Sequence, residues 1–270
     1  MNVAIQGNAG SFHHEAAQQW FGNDVDIIEC ASFSEVFHRA DTGSAEIIVT
    51  AVENTLYGSI NEVYQLIEEL GWPIVGEIKL AIEHQLIALP NTELSAITTV
   101  YSHSVALAQC RHTIETLLPQ ATTVEYFDTA GAVEFIRDTN NPSYGAIASR
   151  TAAELFELPI IAENIHDNEH NATRFLVLAK NALHQQSVPN RTSMVLVTNH
   201  QPGALANALS IFAEAGINLV KLQSQPIIGS PWQYKFFIVA DSAGAELDAA
   251  VAGITAAGHT VRVLGSYQAA

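Results

Sequence analysis

Positive charge is scarce in this chain. Eleven Lys and Arg residues stand against twenty-eight Asp and Glu residues, so the net charge is -17 at pH 7. A field of that sign repels nucleic-acid backbones and anionic bilayers, so the composition argues against binding to nucleic acid or to a membrane. The same field would repel an anionic small molecule. Any site for such a molecule must therefore supply local hydrogen-bond donors.

Cysteines and long apolar runs are also rare. Cys30 and Cys110 are widely separated and no second pair stands at metal spacing, which favours free buried thiols over a disulfide or a zinc site. No apolar run approaches the roughly 18 residues that span a bilayer. The segment Met1–Ile5 lacks the basic residues that open a signal peptide. We therefore expect a cytoplasmic protein.

Hydrophobic residues make up 48% of the 270 residues, enough to bury more than one core. In the first part of the chain, short apolar segments alternate with amphipathic stretches, which is the pattern of an α/β fold. Strands are expected at 2–6, 24–29 and 46–52, and helices at 12–21, 33–42 and 60–70. Capping boxes predict helix starts at Ser32 and Ser59, and Gly71 predicts a helix end.

The rest of the chain divides into further units. An extended region at 74–89 leads into a second α/β set, after which the chain returns to a strand at 173–179. The last part follows the order βαββαβ, the ferredoxin-like arrangement. The expected units are a bilobal region at 1–180 (lobe 1 at about 1–75 plus 170–180, lobe 2 at about 76–169), a linker at 181–191 and a third domain at 192–270.

Polar residues collect directly after the predicted strands. In open parallel sheets, ligands bind at the carboxyl ends of the strands, where the following helices direct their N-terminal N–H groups. The segments are Gly7 to Ser11, Glu53-Asn54-Thr55, Ser102-His103 and Asp128-Thr129. We expect them to meet in an anion-binding cleft between two lobes. Ser102 and Asp128 also fit the role of helix caps, and Gly7 to Ser11 that of a helix-starting turn.

A hydroxyl and a fixed cation stand at the start of an apolar strand, in Thr173 and Arg174. A guanidinium has a donor fork suited to carboxylates, and a threonine hydroxyl can donate or accept a hydrogen bond. The pair suits an anionic, oxygen-rich ligand. The alternative is that Thr173 merely favours the strand and that Arg174 is a solvated edge residue.

These segments combine into a family resemblance. The chain resembles prephenate dehydratase joined to a C-terminal ACT regulatory domain, and the order and spacing of the motifs make the match specific. The motifs are Val52-Glu53-Asn54-Thr55-Leu56-Tyr57-Gly58-Ser59, Ser102-His103 with Gln109-Cys110, Asp128-Thr129-Ala130-Gly131, Ala146-Ile147-Ala148-Ser149 and Asn171 through Phe175.

The resemblance implies a two-lobed catalytic region similar to periplasmic binding proteins, with prephenate in the cleft. Loss of the ring hydroxyl and ring carboxylate would give phenylpyruvate, water and carbon dioxide, with no metal or redox cofactor. It also implies a homodimer or homotetramer. The implied catalytic residues are Thr173, Glu53 and Asn54, and the implied substrate-binding residues are Arg174, Phe175, Thr55, Ser102, Gln109 and Ser11.

Two segments of the third domain resemble the effector-binding motifs of ACT modules. They contain Gly203, Ala204 and Leu205 at a helix start, and Ser224 on a strand. The resemblance implies that phenylalanine binds there and inhibits the enzyme. The usual Glu-Ser-Arg-Pro reads Gln223-Ser224-Gln225-Pro226, so two opposite charges are absent and the transmission of the bound state could differ.

Two further hypotheses fit the sequence less well. The same scaffold could act as an arogenate dehydratase, or as a prephenate decarboxylase that retains the hydroxyl. A binding-lobe pair joined to an ACT module could also be a non-catalytic amino-acid sensor. That hypothesis explains poorly why Glu53, Asn54 and Thr173 occur together.

Overall fold

A computed structural model describes residues 2–181 and 188–270. They form three β-sheets with helices packed against them. The expected α/β class, with two lobes and a small C-terminal domain, is confirmed. Most of the predicted linker at 181–191 lies outside the described residues, and Arg191 already begins a strand.

The first sheet is built from both ends of the bilobal region. Its strands lie in the order β2-β1-β3-β11-β5, with the short β4 paired to β3. The strands are β1 Asn2–Gln6, β2 Asp26–Cys30, β3 Ile47–Asn54, β4 Gly58–Ser59, β5 Ile74–Ala81 and β11 Ala172–Ala179, and the helices are α1 Phe12–Phe21, α2 Phe33–Asp41 and α3 Asn61–Leu70. β11 runs antiparallel between β3 and β5 and joins β5 to the rest of the sheet.

The second sheet has the order β10-β6-β9-β7-β8. Its strands are β6 Gln85–Ala88, β7 Thr99–Ser102, β8 Thr122–Glu125, β9 Tyr144–Ala148 and β10 Ile160–Ala162, and its helices are α4 Ser104–Gln109, α5 Arg111–Leu117, α6 Thr129–Thr139 and α7 Arg150–Leu155. Because β5 pairs with β11, the chain leaves the first sheet after Ala81 and not at residues 75–76 as we expected. It returns between β10 and β11, so two segments join the lobes.

The C-terminal domain has the predicted βαββαβ order. Its elements are β12 Arg191–Val197, α8 Ala204–Glu214, β13 Leu219–Pro226, β14 Tyr234–Ala240, α9 Ala245–Ala256 and β15 Thr260–Tyr267. The sheet order is β13-β14-β12-β15 and every pairing is antiparallel, as in a ferredoxin-like fold. β13 is therefore an edge strand.

Several local predictions can be compared with the structure. The Ser32 hydroxyl accepts from the Glu35 amide and caps α2, and Gly71 ends α3 in the left-handed conformation, both as expected. The capping box at Ser59 is wrong, because Ser59 lies in β4 and α3 begins after Ile60 without a side-chain cap.

Two other expectations concern cysteines and membrane spans. Cys30 and Cys110 are both free and buried. Within residues 2–181 and 188–270, no helix has the length and apolar character needed to cross a bilayer.

The C-terminal domain and the first lobe share one hydrophobic core. Val195, Phe237, Leu264 and Tyr267 pack in the same buried cluster as the residues of α2, α3 and β3. β15 lies against β5 so closely that a Cβ atom on Gly265 would stand 2.1 Å from the carbonyl oxygen of Ile74. The two units are therefore packed as one body along this face.

We expect Gly265→Ala to lower the free energy of unfolding by about 1–3 kcal/mol or more, because the added methyl group overpacks a backbone contact. Gly253→Ala is the control. Its added Cβ meets only Ile211 Cγ2, at 3.4 Å, and it removes a glycine from the interior of α9, so it should stabilise by up to about 1 kcal/mol. Urea unfolding of both variants measures the difference. Equal stability would show that β15 can move away from β5.

Candidate active site

A cleft of about 560 Å³ opens between the two lobes. Both sheets contribute to it, through the loops that follow their strands. Its lining residues include Gln6, Gly7, Ser11, Phe12, His13, Ser32, Phe33, Asn54, Tyr57, Ser59, Ile60, Glu62, Ile82, His84, His103, Gln109, Asp128, Thr129, Thr173 and Phe175. Five of the nine predicted catalytic and substrate-binding residues therefore meet here: Ser11, Asn54, Gln109, Thr173 and Phe175.

Thr173 and Asn54 stand opposite each other on β11 and β3. Asn54 Nδ2 donates to Thr173 Oγ1 over 3.0 Å. The orientation of this amide follows from the backbone, because the N–H groups of Leu56 and Tyr57 both donate to Asn54 Oδ1. Since the Thr173 oxygen accepts from Asn54, its own proton is available to a molecule in the cleft.

The orientation of Asn54 also determines which atoms donate hydrogen bonds in the neighbouring wall of the cleft. Asn54 Nδ2 also donates to Asn171 Oδ1, so Asn171 Nδ2 is left to donate to Gln109 Oε1 over 3.0 Å. Gln109 Oε1 lies 2.7 Å from His84 Nε2, which must carry a proton because a carbonyl oxygen can only accept. Gln109 Nε2 therefore remains as a donor to the cleft. Two backbone amides thus set the direction of an entire polar network.

Helix N-termini supply the positive potential of the cleft. Helices α1, α2 and α6 begin at its edge, capped by Ser11, Ser32 and Asp128. Among the described lining residues none is Lys or Arg. Because helix dipoles place partial positive charge and free N–H groups at these ends, they attract an anion without adding a buried cation.

The lobes also touch directly beside the cleft. The Asn8 N–H of lobe 1 donates to Asp128 Oδ2 of lobe 2 over 2.8 Å, and Ser149 Oγ donates to the Gly10 carbonyl over 2.7 Å. Gly10 has φ 86°, and a Cβ there would lie 3.0 Å from Ala152 Cα. A glycine is required at this point of contact.

Arg174 and Glu53, which we expected as substrate-binding and catalytic residues, do not line the cleft. They alternate with Thr173 and Asn54 along paired strands and therefore point to the opposite face of the sheet. Arg174 Nη2 lies 3.0 Å from Glu53 Oε2, and Arg174 Nη1 lies 3.6 Å from Glu77 Oε2. Lys221 of the C-terminal domain also pairs with Glu53, whose side chain is 36% exposed.

Thr55 and Ser102 are likewise structural in this arrangement. Thr55 Oγ1 donates to the His170 carbonyl and accepts from the Ala172 N–H, which ties the end of β3 to the start of β11. Ser102 is fully buried and donates to the Ile147 carbonyl, and the side chain that caps α4 belongs to His103.

Two histidines that the sequence analysis does not single out also line the cleft. His13 and His84 lie there together with His103. His13 Nε2 accepts from the Ala51 N–H, and its ring meets Phe175 edge-on at 5.1 Å. His13 lies only two residues after Ser11, and this closeness in sequence indicated that its side chain could also reach the cleft. Within the described parts of the chain, no group of three or more His, Cys, Asp or Glu side chains is placed to hold a metal ion.

Burial keeps two of these imidazoles neutral. It lowers the pKa of His13 to about 3 and that of His84 to about 4, although the hydrogen bond to Gln109 opposes the effect at His84. A histidine whose pKa is depressed on folding stabilises the fold above its unfolded pKa and loses that contribution as the pH falls. The cleft is therefore built for neutral histidines.

The predicted effector residues lie away from the cleft. Gly203 precedes α8 in the left-handed conformation, and Ala204 and Leu205 form the first turn of that helix. Ser224 is exposed on the edge strand β13.

We expect the free energy of unfolding to fall as the pH is lowered from about 6.5 to about 4. In this range His84 is protonated in the unfolded chain but stays neutral in the folded protein. Each such proton contributes about 1.4 kcal/mol per pH unit. His84→Gln keeps an N–H donor for Gln109 but cannot titrate, so its slope should be smaller by about 1 kcal/mol per pH unit. His38→Gln, at an exposed position, is the control. Identical slopes in parent and His84→Gln would show that His84 is protonated in the fold.

Comparison with known proteins places this geometry in a family. Residues 3–183 match the family model for prephenate dehydratase. The chain is 34% identical over 272 residues to the bifunctional chorismate mutase/prephenate dehydratase of Escherichia coli strain K12, across 98% of this chain and 70% of that protein. The chain spans 62% of the corresponding protein of Enterobacter agglomerans. It is 35% identical to the chloroplastic arogenate dehydratase 5 of Arabidopsis thaliana, across 99% of this chain and 67% of that protein.

Solved structures also resemble the whole chain. Prephenate dehydratase from Arthrobacter aurescens, in complex with L-Phe, has a TM-score of 0.88 and 30% identity, covering 99% of this chain and 90% of that one. A protein described as a novel type of quorum quenching acylase has a TM-score of 0.89 and 31% identity, covering 100% of this chain and 98% of that one. Since the family model matches well over half of the residues and the relatives match nearly all of them, the chain belongs to the prephenate dehydratase family, whose members are lyases.

Proposed function

We propose that the chain converts prephenate to phenylpyruvate, water and carbon dioxide, the committed reaction of phenylalanine formation. The observation that carries this proposal is the Thr173 hydroxyl, which accepts from Asn54 and keeps its proton for the cleft. A hydrogen bond donated to the departing ring hydroxyl favours its loss. Thr173 is 8% exposed, so the donor works in a site with little competing water.

The chemistry needs positioning more than a strong base. The bond between the ring and its carboxylate breaks, and its electron pair enters the ring as carbon dioxide leaves. The ring then expels hydroxide, which takes up a proton to become water, and the product ring is aromatic. An enzyme accelerates such a fragmentation by holding the carboxylate in line and by stabilising charge on the leaving oxygen.

Helix dipoles and amides would hold the two carboxylates of prephenate. The N-termini of α1 and α6 approach the cleft from opposite lobes, and Gln109 Nε2 adds a neutral donor. Their local positive potential must overcome the repulsion from a chain of net charge -17. Dipoles at contact distance achieve this because distant charges are screened by salt within about 10 Å.

Apolar walls suit the ring of the substrate. Phe12, Phe33, Ile82 and Phe175 line the cleft beside the polar network. A planar aromatic product fits such walls, whereas the ring hydroxyl needs a polar partner, which Thr173 supplies. The cleft therefore combines one apolar compartment with one localised group of donors.

Arogenate is the alternative substrate, and its carbon skeleton differs only by an amine in place of the side-chain keto group. The similarity to an arogenate dehydratase keeps this alternative open. Two carboxylates line the cleft, Glu62 and Asp128, but Asp128 already accepts from the Asn8 and Gly131 amides. We favour prephenate because, among the carboxylates of the described lining residues, only Glu62 would be available to an ammonium group.

The acylase resemblance suggests a different reaction class, hydrolysis of an acyl amide. The apolar walls could accommodate an acyl chain. Amide hydrolysis of this kind normally needs an activated nucleophile. Among the described lining residues, however, no serine hydroxyl is hydrogen-bonded to a histidine ring, and Ser11 Oγ instead accepts from the His14 backbone. We therefore place the dehydratase reaction first.

Phenylalanine is the proposed effector of the C-terminal domain, and a homodimer or homotetramer working in the cytoplasm is the proposed assembly. Support comes from the ferredoxin-like sheet order and from the similarity, over 99% of the chain, to a prephenate dehydratase bound to L-Phe. The exposed Ser224 edge and the start of α8 remain the predicted binding segments.

Thr173→Ala should reduce kcat for phenylpyruvate formation by at least about 10²-fold, because the hydroxyl that accepts from Asn54 in the cleft is lost. Thr173→Ser keeps the hydroxyl and should stay within about tenfold of the parent. Incubation with prephenate, with product identified by mass and alkaline absorbance, measures both variants. Near-normal turnover by Thr173→Ala would exclude the proposed role.

The same incubation separates the alternatives. A decarboxylated product that retains the hydroxyl would indicate a non-aromatising decarboxylase. Turnover of arogenate in preference to prephenate would indicate an arogenate dehydratase, and cleavage of an N-acyl amide would indicate an acylase. Unchanged material in every arm would favour the amino-acid sensor.

Calorimetric titration of the full chain with L-phenylalanine should show saturable binding, since Ser224 and the start of α8 are retained although Gln223 and Gln225 replace two charged residues. D-Phenylalanine is the matched control, because it has the same charge and apolar area with the opposite hand. Absence of binding, or equal binding of both enantiomers, would contradict the proposed effector site.

A further inference from the structure

One wall of the cleft is held from outside by the C-terminal domain. The segment 58–62 contains β4 and the start of α3, and Gly58, Ser59, Ile60 and Glu62 all line the cleft. β4 has only two residues, and it pairs with β3 through Glu53 and Asn54. A hairpin this short is marginal by itself and needs support from tertiary contacts.

Lys221 on β13 gives that support. Its Nζ donates to Ser59 Oγ over 2.7 Å and to Glu53 Oε1 over 2.6 Å, so a single ammonium group binds both strands of the hairpin. The same nitrogen lies 5.4 Å from the centre of the Tyr64 ring. The Lys221 side chain is only 7% exposed. Burial lowers the pKa of this amine, and the hydrogen bond to Glu53 opposes the effect.

The cluster continues beneath the catalytic strand. Glu53 Oε2 meets Arg174, whose Nη2 also lies 3.3 Å from the Tyr64 hydroxyl. Arg174 follows Thr173 on β11, and Glu53 precedes Asn54 on β3. Thr173 lies opposite Asn54, and Arg174 lies opposite Glu53. Any shift of Glu53 therefore moves the backbone that carries Asn54.

A second contact from β13 reaches the same segment. Gln225 Nε2 donates to the Asn61 carbonyl over 2.6 Å. Lys221 and Gln225 are both buried and lie four residues apart, on one face of the strand, as the alternation of a β-strand requires. The face that carries them is turned to lobe 1, whereas Ser224 points to the exposed side.

We propose that Lys221 is a positioning residue of the active site, which holds the 53–62 hairpin so that Asn54 orients the Thr173 hydroxyl. This inference rests on the proposed dehydratase function. Lys221 does not itself line the cleft, and it acts through Glu53 and Ser59. A displacement of β13 then reaches Asn54, because it removes the ammonium group that joins Glu53 to Ser59.

Lys235 offers a matched control within the same interface. It also extends from the C-terminal sheet to lobe 1, where it pairs with Glu68 on α3, and its side chain is 16% exposed. Lys221→Met and Lys235→Met thus remove the same charge from the same boundary between domains. Only the first removes a contact to the cleft wall.

We expect Lys221→Met to lower kcat/KM for phenylpyruvate formation by about tenfold to a hundredfold, mainly in kcat, because the catalytic hydroxyl is misplaced while the substrate contacts remain. Lys235→Met should stay within about threefold of the parent. Lys221→Arg, which keeps the cation, should recover at least part of the loss. Thermal unfolding of the full-length variants tests whether both lysines stabilise the interface to a similar extent.

Hydrogen exchange followed by mass spectrometry gives a readout that does not depend on turnover. Lys221→Met should accelerate amide exchange in peptides covering residues 53–62, whereas Lys235→Met should affect only the later turns of α3. If the parent forms no phenylpyruvate, the proposed function fails, and the exchange comparison still tests the positioning role.

Two results would overturn the proposal. One is unchanged exchange at residues 53–62 in Lys221→Met. The other is equal kcat/KM for Lys221→Met and Lys235→Met, whatever their stability. If Lys221→Met does not fold, Glu53→Gln is used in its place, since it weakens the same ion pair from the lobe 1 side and should give the same pattern.

Discussion

The pairing of β3 with β11 is the interaction on which the site depends. Its register places Thr173 opposite Asn54 and Arg174 opposite Glu53. Because side chains alternate across a strand, the first pair faces the cleft and the second faces the C-terminal domain. One pair of strands therefore carries the proposed chemistry on one face and the connection to the C-terminal domain on the other.

The polar side chains of the cleft are oriented by neutral amides and not by a buried cation. The N–H groups of Leu56 and Tyr57 determine the orientation of Asn54, and through it that of Asn171, Gln109 and Thr173. A connected polar network of this kind is rigid, since turning one amide would break several of its hydrogen bonds. This arrangement suits a reaction in which two leaving groups must be held in a defined geometry.

The C-terminal domain is an integral part of this arrangement. Phe237 and Tyr267 share a core with lobe 1. The Lys221 ammonium group donates to Ser59, which lines the cleft. The replacement of an expected arginine by Gln225 does not remove the contact to lobe 1, because its amide donates to Asn61. β13 therefore contacts lobe 1 through a neutral hydrogen bond and through the Lys221 ion pair.

The sequence by itself determined the family, the α/β order and the βαββαβ domain, because motif spacing and hydrophobic periodicity are local properties. It also identified Thr173, Asn54, Gln109, Ser11 and Phe175, which the structure brings together. Only the tertiary structure decided that Arg174 and Glu53 face away, that Ser59 is not a cap, and that His84 lines the cleft. The physical reason is that β11 is covered on both faces, so its residues show no polar alternation that would reveal which side meets the cleft.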